Sequence, residues 1–304
     1  MGSINPVVSI GLPVYNGERY LAEAIQSFHI QSFDDFELVI CDNASTDQTE
    51  EICKKYAALD SRIHYSRNKV NIGAVRNHNL VFKLSKGRYF KWAGHDDLYA
   101  PDYLLECVNV LNSDPAVALC YPKTILIDEF GNETERYEEN DLDLSSPYPH
   151  ERLHNMLHHP LDMLLNPSLG LTRSNYLAKT GGLGNYYAAD RVILEELALQ
   201  GQFKKIPEYL FSRRIHSESS SVANASEERR AIWADPTYKG RVQSPRWRRF
   251  LGNLNGIRRA SLNPRERFLC YKEFWSFYLN PRRFYGIRSD FMQLLAVKMS
   301  TLKH

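Results

Sequence analysis

The sequence predicts an α/β protein in which helices flank a mostly parallel sheet and a helical annex follows at the C-terminal end. Short apolar segments alternate with amphipathic helices through about the first ninety residues, and this alternation is typical of parallel sheets covered on both faces. Polar clusters follow the predicted strands, at the sheet edge where α/β proteins bind ligands. The composition then changes near residue 229, where arginine and aromatic residues become frequent.

Hydrophobic periodicity places the elements of the first half. Strands are expected at 7–12, 36–41, 63–66 and 89–93, and helices between them at 20–28, 52–59 and 75–84. Pro101 opens a fourth helix, since proline is favoured in the first turn, and the apolar positions of this helix continue to residue 111. We therefore expect a β-α-β-α-β-α-β unit whose polar loops share one edge.

The pattern changes after Pro115. Two strands are expected at 117–121 and 124–128, followed by a turn at 129–132 and an acidic, mobile loop at 133–149. A helix that Pro160 interrupts is predicted at 150–166. A glycine-rich loop at 181–184 precedes a helix at 189–200, and an extended segment follows at 206–215.

The composition indicates one large domain, or a core with an appendage, from a reducing compartment. The 304 residues are 43% apolar, and they contain no apolar run of about 18 residues that would cross a membrane. No signal-peptide pattern precedes the first strand, and the five cysteines show no CxxC spacing. We therefore expect a cytoplasmic protein, with peripheral contact to the inner face of a membrane as an option.

The charge is distributed unevenly along the chain. Residues 229–304 contain 17 Lys+Arg and 4 Asp+Glu, a balance of +13, whereas the remainder contains 21 basic and 32 acidic residues, a balance of −11. The basic end could be an amphipathic annex on an anionic membrane, an annex packed on the acidic core or on another subunit, or a nucleic-acid-binding segment. No RNA-binding motif accompanies the charge, which argues against nucleic acid.

The short motif His95-Asp96-Asp97 stands at the carboxyl end of the strand predicted at 89–93. Two adjacent carboxylates repel each other, so the pair is costly unless it is solvated or shares a cation. A solvated turn and a metal-binding turn are both consistent with this motif alone.

Six segments, in this order, resemble the inverting nucleotide-sugar glycosyltransferases of family 2. They are VSIGLPVYNGERYLAEAIQS, ELVICDNASTDQT, NIGAVRN, HDD, YYAADRVILEELALQG and RRIHSESSS, and they cover residues 7–222. The resemblance implies a GT-A, Rossmann-like fold over residues 1–222, with a nucleotide-binding half at 1–115 and an acceptor-side half at 116–222. Residues 223–304 then form the basic, aromatic-rich helical annex.

The resemblance also implies an activity. A family 2 enzyme of this kind moves a sugar from a nucleotide donor, here UDP-linked, to a hydroxyl of a glycan or lipid-linked acceptor, as in polysaccharide biosynthesis. A divalent metal neutralises the leaving diphosphate. Oxygen ligands with an added imidazole suit Mn²⁺ better than Mg²⁺, which prefers oxygen and water.

The resemblance assigns roles residue by residue. Residues that hold the nucleotide-sugar are Pro13, Tyr15, Asn16, Asp42, Asn43, Arg76, Asp96, Arg213 and Arg214. Asp97 is implied as the direct metal ligand and His216 as a later metal or diphosphate ligand. Asp96 is expected on the ribose or behind the ligands, and His95 as a packed or supporting group. Asp190 is implied as the base that takes the proton of the acceptor hydroxyl.

Each assignment has a structural alternative. Asp42 can be a turn residue, Arg76 an exposed helix arginine, His216 a packed histidine and Asp190 a helix N-cap. Two other functions also compete, namely a sugar-1-phosphate nucleotidyltransferase and a non-catalytic binding module. The first would need a glycine-rich loop with Arg and Lys after the first strand, where this chain has GLPVYNGERY.

Overall fold

The computed structural model describes residues 5–137, 142–160, 166–186, 189–219, 226–238 and 244–301. Their strands form one nine-stranded mixed sheet. Its strands lie in the order 63–67, 36–42, 8–14, 89–92, 171–173, 117–127, 202–214 and 98–99, and 133–137 pairs with 117–127. The predicted class, a curled and mostly parallel sheet flanked by helices, is confirmed.

The first half is the expected parallel unit. Its strands are β1 (Val8–Val14), β2 (Phe36–Asp42), β3 (Ile63–Arg67) and β4 (Tyr89–Trp92), and its helices are α1 (Leu21–His29), α2 (Thr49–Leu59) and α3 (Ala74–Leu84). Strands β2 and β4 flank β1 and run parallel to it, with Val8 opposite both Phe36 and Tyr89. Every residue of β1 and β2 is buried, because helices cover both faces. Their carboxyl ends therefore open on the same edge.

The second half extends the sheet. It contains β5 (Leu98–Tyr99), α4 (Tyr103–Ser113), β6 (Val117–Ile127), β7 (Glu133–Tyr137), α5 (Pro149–His158), a 3₁₀ turn (Pro167–Leu169), β8 (Leu171–Arg173), α6 (Ser174–Leu177), α7 (Ala189–Gln200) and β9 (Gln202–Arg214). Strand β8 is antiparallel to both β4 and β6, whereas β6 and β9 are parallel. Strand β9 ends beside the turn that follows β4.

Four boundaries differ from the prediction. Strand β1 continues through Pro13 to Val14, and the two strands expected at 117–121 and 124–128 are one strand, β6, whose pairing with β9 shifts register beside Pro122. The first part of the loop expected at 133–149 is strand β7. The helix expected at 150–166 ends at His158, before Pro160, and residues 161–165 lie outside the described ranges.

The basic end folds into four helices that pack on the core. They are α8 (Glu227–Ala234), α9 (Pro245–Arg259), α10 (Pro264–Tyr278) and α11 (Pro281–Thr301). A shared cluster joins Leu153, Leu157 and Leu199 of the core to Ile257, Cys270 and Phe274 of the annex. Ion pairs to two buried carboxylates add to it, with Arg249 Nε 2.9 Å from Glu195 and Arg259 2.6 Å from Glu196. The annex thus packs on acidic groups of the core, one of the predicted alternatives.

Among the described helices, none has the combination of length and apolar character that crossing a bilayer requires.

Candidate active site

In the turn after β4, the carboxylates of Asp96 and Asp97 both lie against Gly94. A Cβ placed on Gly94 would lie 2.5 Å from Asp97 Oδ2 and 2.9 Å from Asp96 Oδ1. No side chain fits there without moving a carboxylate, so glycine is required at this position. The two acidic groups consequently stand side by side at the edge where β1, β2 and β4 end.

His216 completes this cluster from the end of β9. Its Nε2 lies 3.0 Å from Asp96 Oδ2, and its buried Nδ1 has no hydrogen-bond partner among the described residues. The carboxylate favours the ring tautomer that carries its proton on Nε2, which leaves the lone pair on Nδ1 free. Asp96 therefore supports His216, in agreement with its expected place behind the ligands.

Asp97 is the more deeply buried carboxylate. Its Oδ1 accepts a hydrogen bond of 3.1 Å from the backbone N–H of Arg214. Burial and the neighbouring Asp96 raise the pKa of Asp97 to about 7, against the opposing charges of Arg213 and Lys91. Burial acts in the same direction on Asp96, but His95 and His216 outweigh it and lower the pKa of Asp96. Asp96 therefore carries a full negative charge at neutral pH, whereas Asp97 is easily protonated.

The structure differs from the expectation that Arg214 contacts a diphosphate. Its side chain is buried, and its guanidinium donates to the backbone oxygen of Asp96 at 2.9 Å and to Glu23 of α1 at 2.7 Å. The remaining nitrogen donates to the backbone oxygens of Asp128 and Glu129. Since these partners occupy the guanidinium, Arg214 positions the acidic turn instead of presenting a charge to a ligand.

Arg213 is available where Arg214 is not. Its side chain is partly exposed, and none of the hydrogen bonds or ion pairs among the described residues engages it. Its positive charge opposes the upward pKa shifts that burial gives Asp97 and Asp190, so one guanidinium acts on both carboxylates. The predicted metal-binding and base residues therefore both lie within the electrostatic influence of Arg213.

Asp190 lies in the first turn of α7 and not at its N-cap. Part of its side chain is exposed to solvent. The protein atoms around the carboxyl group nevertheless displace much of its water, and this desolvation raises its pKa. A hydrogen bond of 2.9 Å from the N–H of Arg191 to Oδ1 opposes the shift. An accessible carboxylate with a raised pKa suits proton transfer near neutral pH.

The acidic turn after β2 is occupied by its own partners. Asp42 is fully buried and accepts hydrogen bonds from Ser45 N–H at 2.8 Å and Tyr65 Oη at 2.9 Å, and Arg67 lies 3.2 Å away. Contrary to expectation, its carboxylate is not exposed to a nucleobase in this structure. Asp42 instead holds the loop that would surround one.

Asn43 has a similar place in a network of amides. Its side chain donates to Asn71 at 2.9 Å and accepts from Asn68 at 3.1 Å and from the N–H of Ile72 at 2.9 Å. Asn68 also donates to Asn77. The network ties the loop after β2 to the NIG loop before α3, so the buried side chain of Asn43, too, holds loops in place and is not presented to a ligand.

The loop after β1 is tied to the same turn. Asn16 has a positive φ of 52°, and its Oδ1 accepts a hydrogen bond of 2.9 Å from the N–H of Thr46. Pro13 lies within β1 and is buried, whereas Tyr15 is 46% exposed at the mouth of the site. Pro13 is therefore closed to a ligand, whereas Tyr15 and Asn16 are both exposed.

Arg76 lies on the first turn of α3, half exposed, with a guanidinium nitrogen 3.8 Å from Asp235. Asp235 also accepts a hydrogen bond of 2.8 Å from Asn185, just after the glycine-rich loop. Thus Asp235, just after α8, links the first turn of α3 to the chain at Asn185.

Lys91 is a further candidate that the sequence analysis did not single out. It is fully buried in β4, with Nζ 3.8 Å from the ring centroid of Tyr99 and 4.9 Å from that of Tyr103. Burial lowers its pKa to about 7, although the nearby Asp97 opposes the shift. A lysine in the middle of the apolar, aromatic segment 89–93 was the available signal.

The donor groups present are consistent with a divalent cation. No group of three His, Cys, Asp or Glu side chains converges as a ready-made cage within the described ranges. Cations of this kind in nucleotide sites take one or two carboxylates and complete their shell with substrate phosphates. Asp97 and the free Nδ1 of His216 fit that requirement, because both are buried donors beside an additional carboxylate.

Comparisons with known proteins agree on one family. A family model described as glycosyl transferase family 2 matches residues 9–174. An uncharacterized glycosyltransferase of Rickettsia typhi is 30% identical over 245 residues, covering 76% of this chain and 71% of the relative. Chondroitin synthase of Escherichia coli is 28% identical over 218 residues, but the matched part is 71% of this chain and 30% of that enzyme.

Solved structures share the fold at low identity. S. aureus TarS 1-349 in complex with UDP-GlcNAc has a TM-score of 0.61 and 16% identity, and the match covers 94% of this chain and 81% of TarS 1-349. A mannosyltransferase of Pyrobaculum calidifontis in complex with GDP-Man and Mn²⁺ has a TM-score of 0.53 and 16% identity, over 98% of this chain and 76% of that protein.

Proposed function

This chain belongs to glycosyltransferase family 2, and from that premise we propose that it transfers a sugar from a nucleotide-sugar donor, UDP-linked, to an acceptor hydroxyl with inversion. One observation carries the proposal, namely that the carboxylates of Asp96 and Asp97 stand together on Gly94 at the carboxyl edge of the sheet and meet His216 there through the 3.0 Å contact of its Nε2 with Asp96. An inverting transfer needs groups that neutralise a leaving diphosphate at one end and a base at the other. Family membership argues against the nucleotidyltransferase and the non-catalytic module.

Asp190 is the proposed base. Its carboxylate takes the proton of the acceptor hydroxyl while the acceptor oxygen bonds to the anomeric carbon. The bond from that carbon to the diphosphate oxygen breaks, and the diphosphate leaves with the electron pair. Arg213 stabilises the charge that develops on the leaving group, because its guanidinium fork is not engaged by the described residues.

Asp97 and His216 would hold a divalent cation, Mn²⁺ in preference to Mg²⁺, because an imidazole joins the oxygen donors. Such an ion supplies Lewis-acid neutralisation of the diphosphate. Asp96 orients His216, and Arg214 fixes the turn that carries both carboxylates. The UDP-GlcNAc, GDP-Man and Mn²⁺ complexes of proteins with the same fold support this choice of ligands.

The nucleoside would lie against Tyr15, in a pocket whose walls Asp42, Asn43 and Asn16 hold in place. Arg76 borders the same pocket. The acceptor is proposed to be a glycan or a lipid-linked sugar, in polysaccharide biosynthesis, and the site of action the cytoplasm or the inner face of a membrane. Residues 229–304 would supply the contact with that membrane or with a second copy of the chain.

The test is a panel of UDP- and GDP-sugars, measured for donor hydrolysis and UDP affinity with Mn²⁺, with Mg²⁺ and with EDTA. We expect hydrolysis of one UDP-sugar that EDTA abolishes. Asp97→Ala should remove the Mn²⁺-dependent part of UDP binding, because it deletes an oxygen ligand. Asp34→Ala, on an exposed carboxylate of the core, is the matched control. UDP affinity that is the same with Mn²⁺ and with EDTA would refute the metal assignment.

A further inference from the structure

The annex carries an apolar groove on its outer side. Helices α9 and α10 enclose it, with a volume of ≈ 660 Å³, and its walls are the apolar and aromatic residues Leu254, Phe268, Tyr271 and Trp275 and the stems of Arg258 and Lys272. Phe268 is 70% exposed and Trp275 43% exposed. Large apolar groups that stay this open on a folded surface mark an interaction site.

The groove continues as a band of rings across three helices. Trp275 of α10 lies 6.0 Å from Phe250 of α9, which lies 5.4 Å from Trp247, and Trp247 lies 4.7 Å from Phe291 of α11. Phe291 is itself 38% exposed. Trp247 and Phe250 are partly buried, so the groove and this band, together called the aromatic face, are connected through packed rings with Phe268, Trp275 and Phe291 exposed.

The four acidic residues of 229–304 do not contribute to this face, because each has a partner elsewhere. Glu266 and Glu273 of α10 pair with His150 and His154 of α5, at 2.9 and 2.7 Å. Asp290 accepts the N–H of Arg246 at the start of α9. The fourth, Asp235, bonds to Asn185 at the active site.

The basic residues of the groove remain open. Arg258 and Lys272 are exposed, and neither side chain enters an ion pair with another described residue. They flank the groove from opposite helices, so the aromatic face is apolar at its centre and cationic at its edge. Since the acidic groups of 229–304 contact partners away from the groove, they do not offset the charge of Arg258 and Lys272 at this edge.

We propose that the aromatic face binds the surface of an anionic lipid bilayer. Aromatic rings enter the boundary between headgroups and acyl chains, and flanking cations pair with anionic headgroups while their stems remain in apolar surroundings. A second copy of the chain fits less well, because a twofold contact through this face would bring Arg258 and Lys272 against the same cations of the partner.

The bilayer would lie close to the acceptor side of the active site. Helix α9 packs on α7, whose first turn carries Asp190, and Arg248 of α9 lies 5.4 Å from the ring of Tyr186. This inference depends on the annex surface alone. It holds or fails independently of the proposed transfer reaction.

The test is co-sedimentation of the full chain with vesicles of phosphatidylglycerol and phosphatidylcholine in equal parts, and with vesicles of phosphatidylcholine alone. We expect binding to the anionic vesicles that weakens as salt is raised, and binding at least about 10-fold weaker to the neutral ones. The double variant Arg258→Glu, Lys272→Glu should lose affinity for the anionic vesicles by at least about 30-fold. Each basic side chain near the surface contributes about fivefold, and the new carboxylates add repulsion. Phe268→Ser should weaken binding to both kinds of vesicle.

The controls keep the charge change and move it to the core. Lys55→Glu with Lys83→Glu places the same change on exposed residues of α2 and α3, and Leu59→Ser removes an exposed apolar group that is 71% exposed on α2. These variants should bind like the wild type, and all variants should keep its melting temperature. Equal binding to both vesicles, or equal losses in face and control variants, would overturn the proposal. A dimer that dissociates on Arg258→Glu, Lys272→Glu, without vesicle binding by the wild type, would assign the face to a second copy instead.

Discussion

His216 Nε2 lies 3.0 Å from Asp96 Oδ2, and this contact joins the end of β9 to the turn after β4 across 120 positions of sequence. It determines which ring nitrogen of His216 carries the proton. It also gives the two aspartates of the turn different surroundings, since Asp96 contacts the imidazole and Asp97 accepts a hydrogen bond from the backbone N–H of Arg214.

The first prediction concerns this contact. Asp96→Ala should weaken Mn²⁺-dependent UDP binding by about 10- to 100-fold, because loss of the group behind a histidine ligand leaves the tautomer and ring orientation undefined. Asp96→Asn should weaken it less, since the amide oxygen can still accept from Nε2–H. Titration calorimetry of UDP with Mn²⁺, with Asp34→Ala as the control, measures both effects. Unchanged affinity in Asp96→Ala would show that His216 does not depend on Asp96.

The second prediction isolates Asp190. Asp190→Asn should lower kcat by about 100-fold or more, the usual scale for a lost acid–base group. UDP affinity should be unchanged, and stability should fall by no more than about 1 kcal/mol, the contribution of one charge in the first helical turn. Glu50→Gln, which removes a first-turn charge from α2, is the matched control.

The pH profile provides a second readout for Asp190. A base acts only when deprotonated, and burial raises the pKa of this carboxyl group above its ordinary value of 3.8. The wild-type rate should therefore fall as the pH is lowered through that raised pKa, and the residual rate of Asp190→Asn should lack this limb. A normal rate in the Asn variant would remove Asp190 from the mechanism.

The third prediction concerns Lys91. Its pKa is lowered to about 7, so between pH 7 and 10.5 the unfolded chain binds a proton that the folded chain does not. The cost of burying the charge is therefore greatest below pH 7 and is relieved as the pH rises. Lys91→Met should stabilise the protein by about 1 to 3 kcal/mol at pH 6 and by less at pH 9.

The same substitution should weaken binding. Without Lys91, the paired carboxylates of Asp96 and Asp97 lose a countercharge, and UDP affinity with Mn²⁺ should fall. Denaturant unfolding at both pH values and UDP titration on the same sample test the two effects together. Lys83→Met, on an exposed lysine, should change neither. A variant that is destabilised at pH 6 would contradict this account of Lys91.

The fourth prediction concerns the junction of core and annex. Glu195 is fully buried between Arg191, at 3.1 Å, and Arg249, at 2.9 Å. Glu195→Gln leaves both guanidinium groups without a full countercharge and should destabilise the protein by about 3 kcal/mol. Glu133→Gln breaks an exposed pair with Arg136 and should cost less than about 1 kcal/mol. Urea unfolding that finds equal effects would show that the buried cluster is dispensable.

Local pattern was sufficient for the first half of the fold. The strands between Val8 and Leu84 follow mainly from short apolar runs and the helices from 3.6-residue spacing, and the loops after the strands fall on one edge because parallel strands must point the same way. The clustering of Asp96, Asp97 and His216 followed from six segments in order, not from any one of them.

Beyond Pro115 the sequence was less informative. One long strand appeared as two because Pro122 interrupts the pattern, and β7 appeared as a loop because its exposed, charged residues lack an apolar face. The burial of Asp42 and Asn43 could not be anticipated either, since their partners Tyr65 and Asn71 stand more than 20 positions away.

By itself the sequence determined the fold class, the family and the residue types at the site, because each depends on local spacing and on the order of segments along the chain. Only the tertiary structure decided which of two adjacent arginines is free. Arg213 and Arg214 are equivalent in sequence, but alternate side chains of a strand point to opposite faces. Arg214 therefore enters the interior, where Glu23 and the turn at Asp96 engage it, and Arg213 stays partly exposed on the opposite face of the strand.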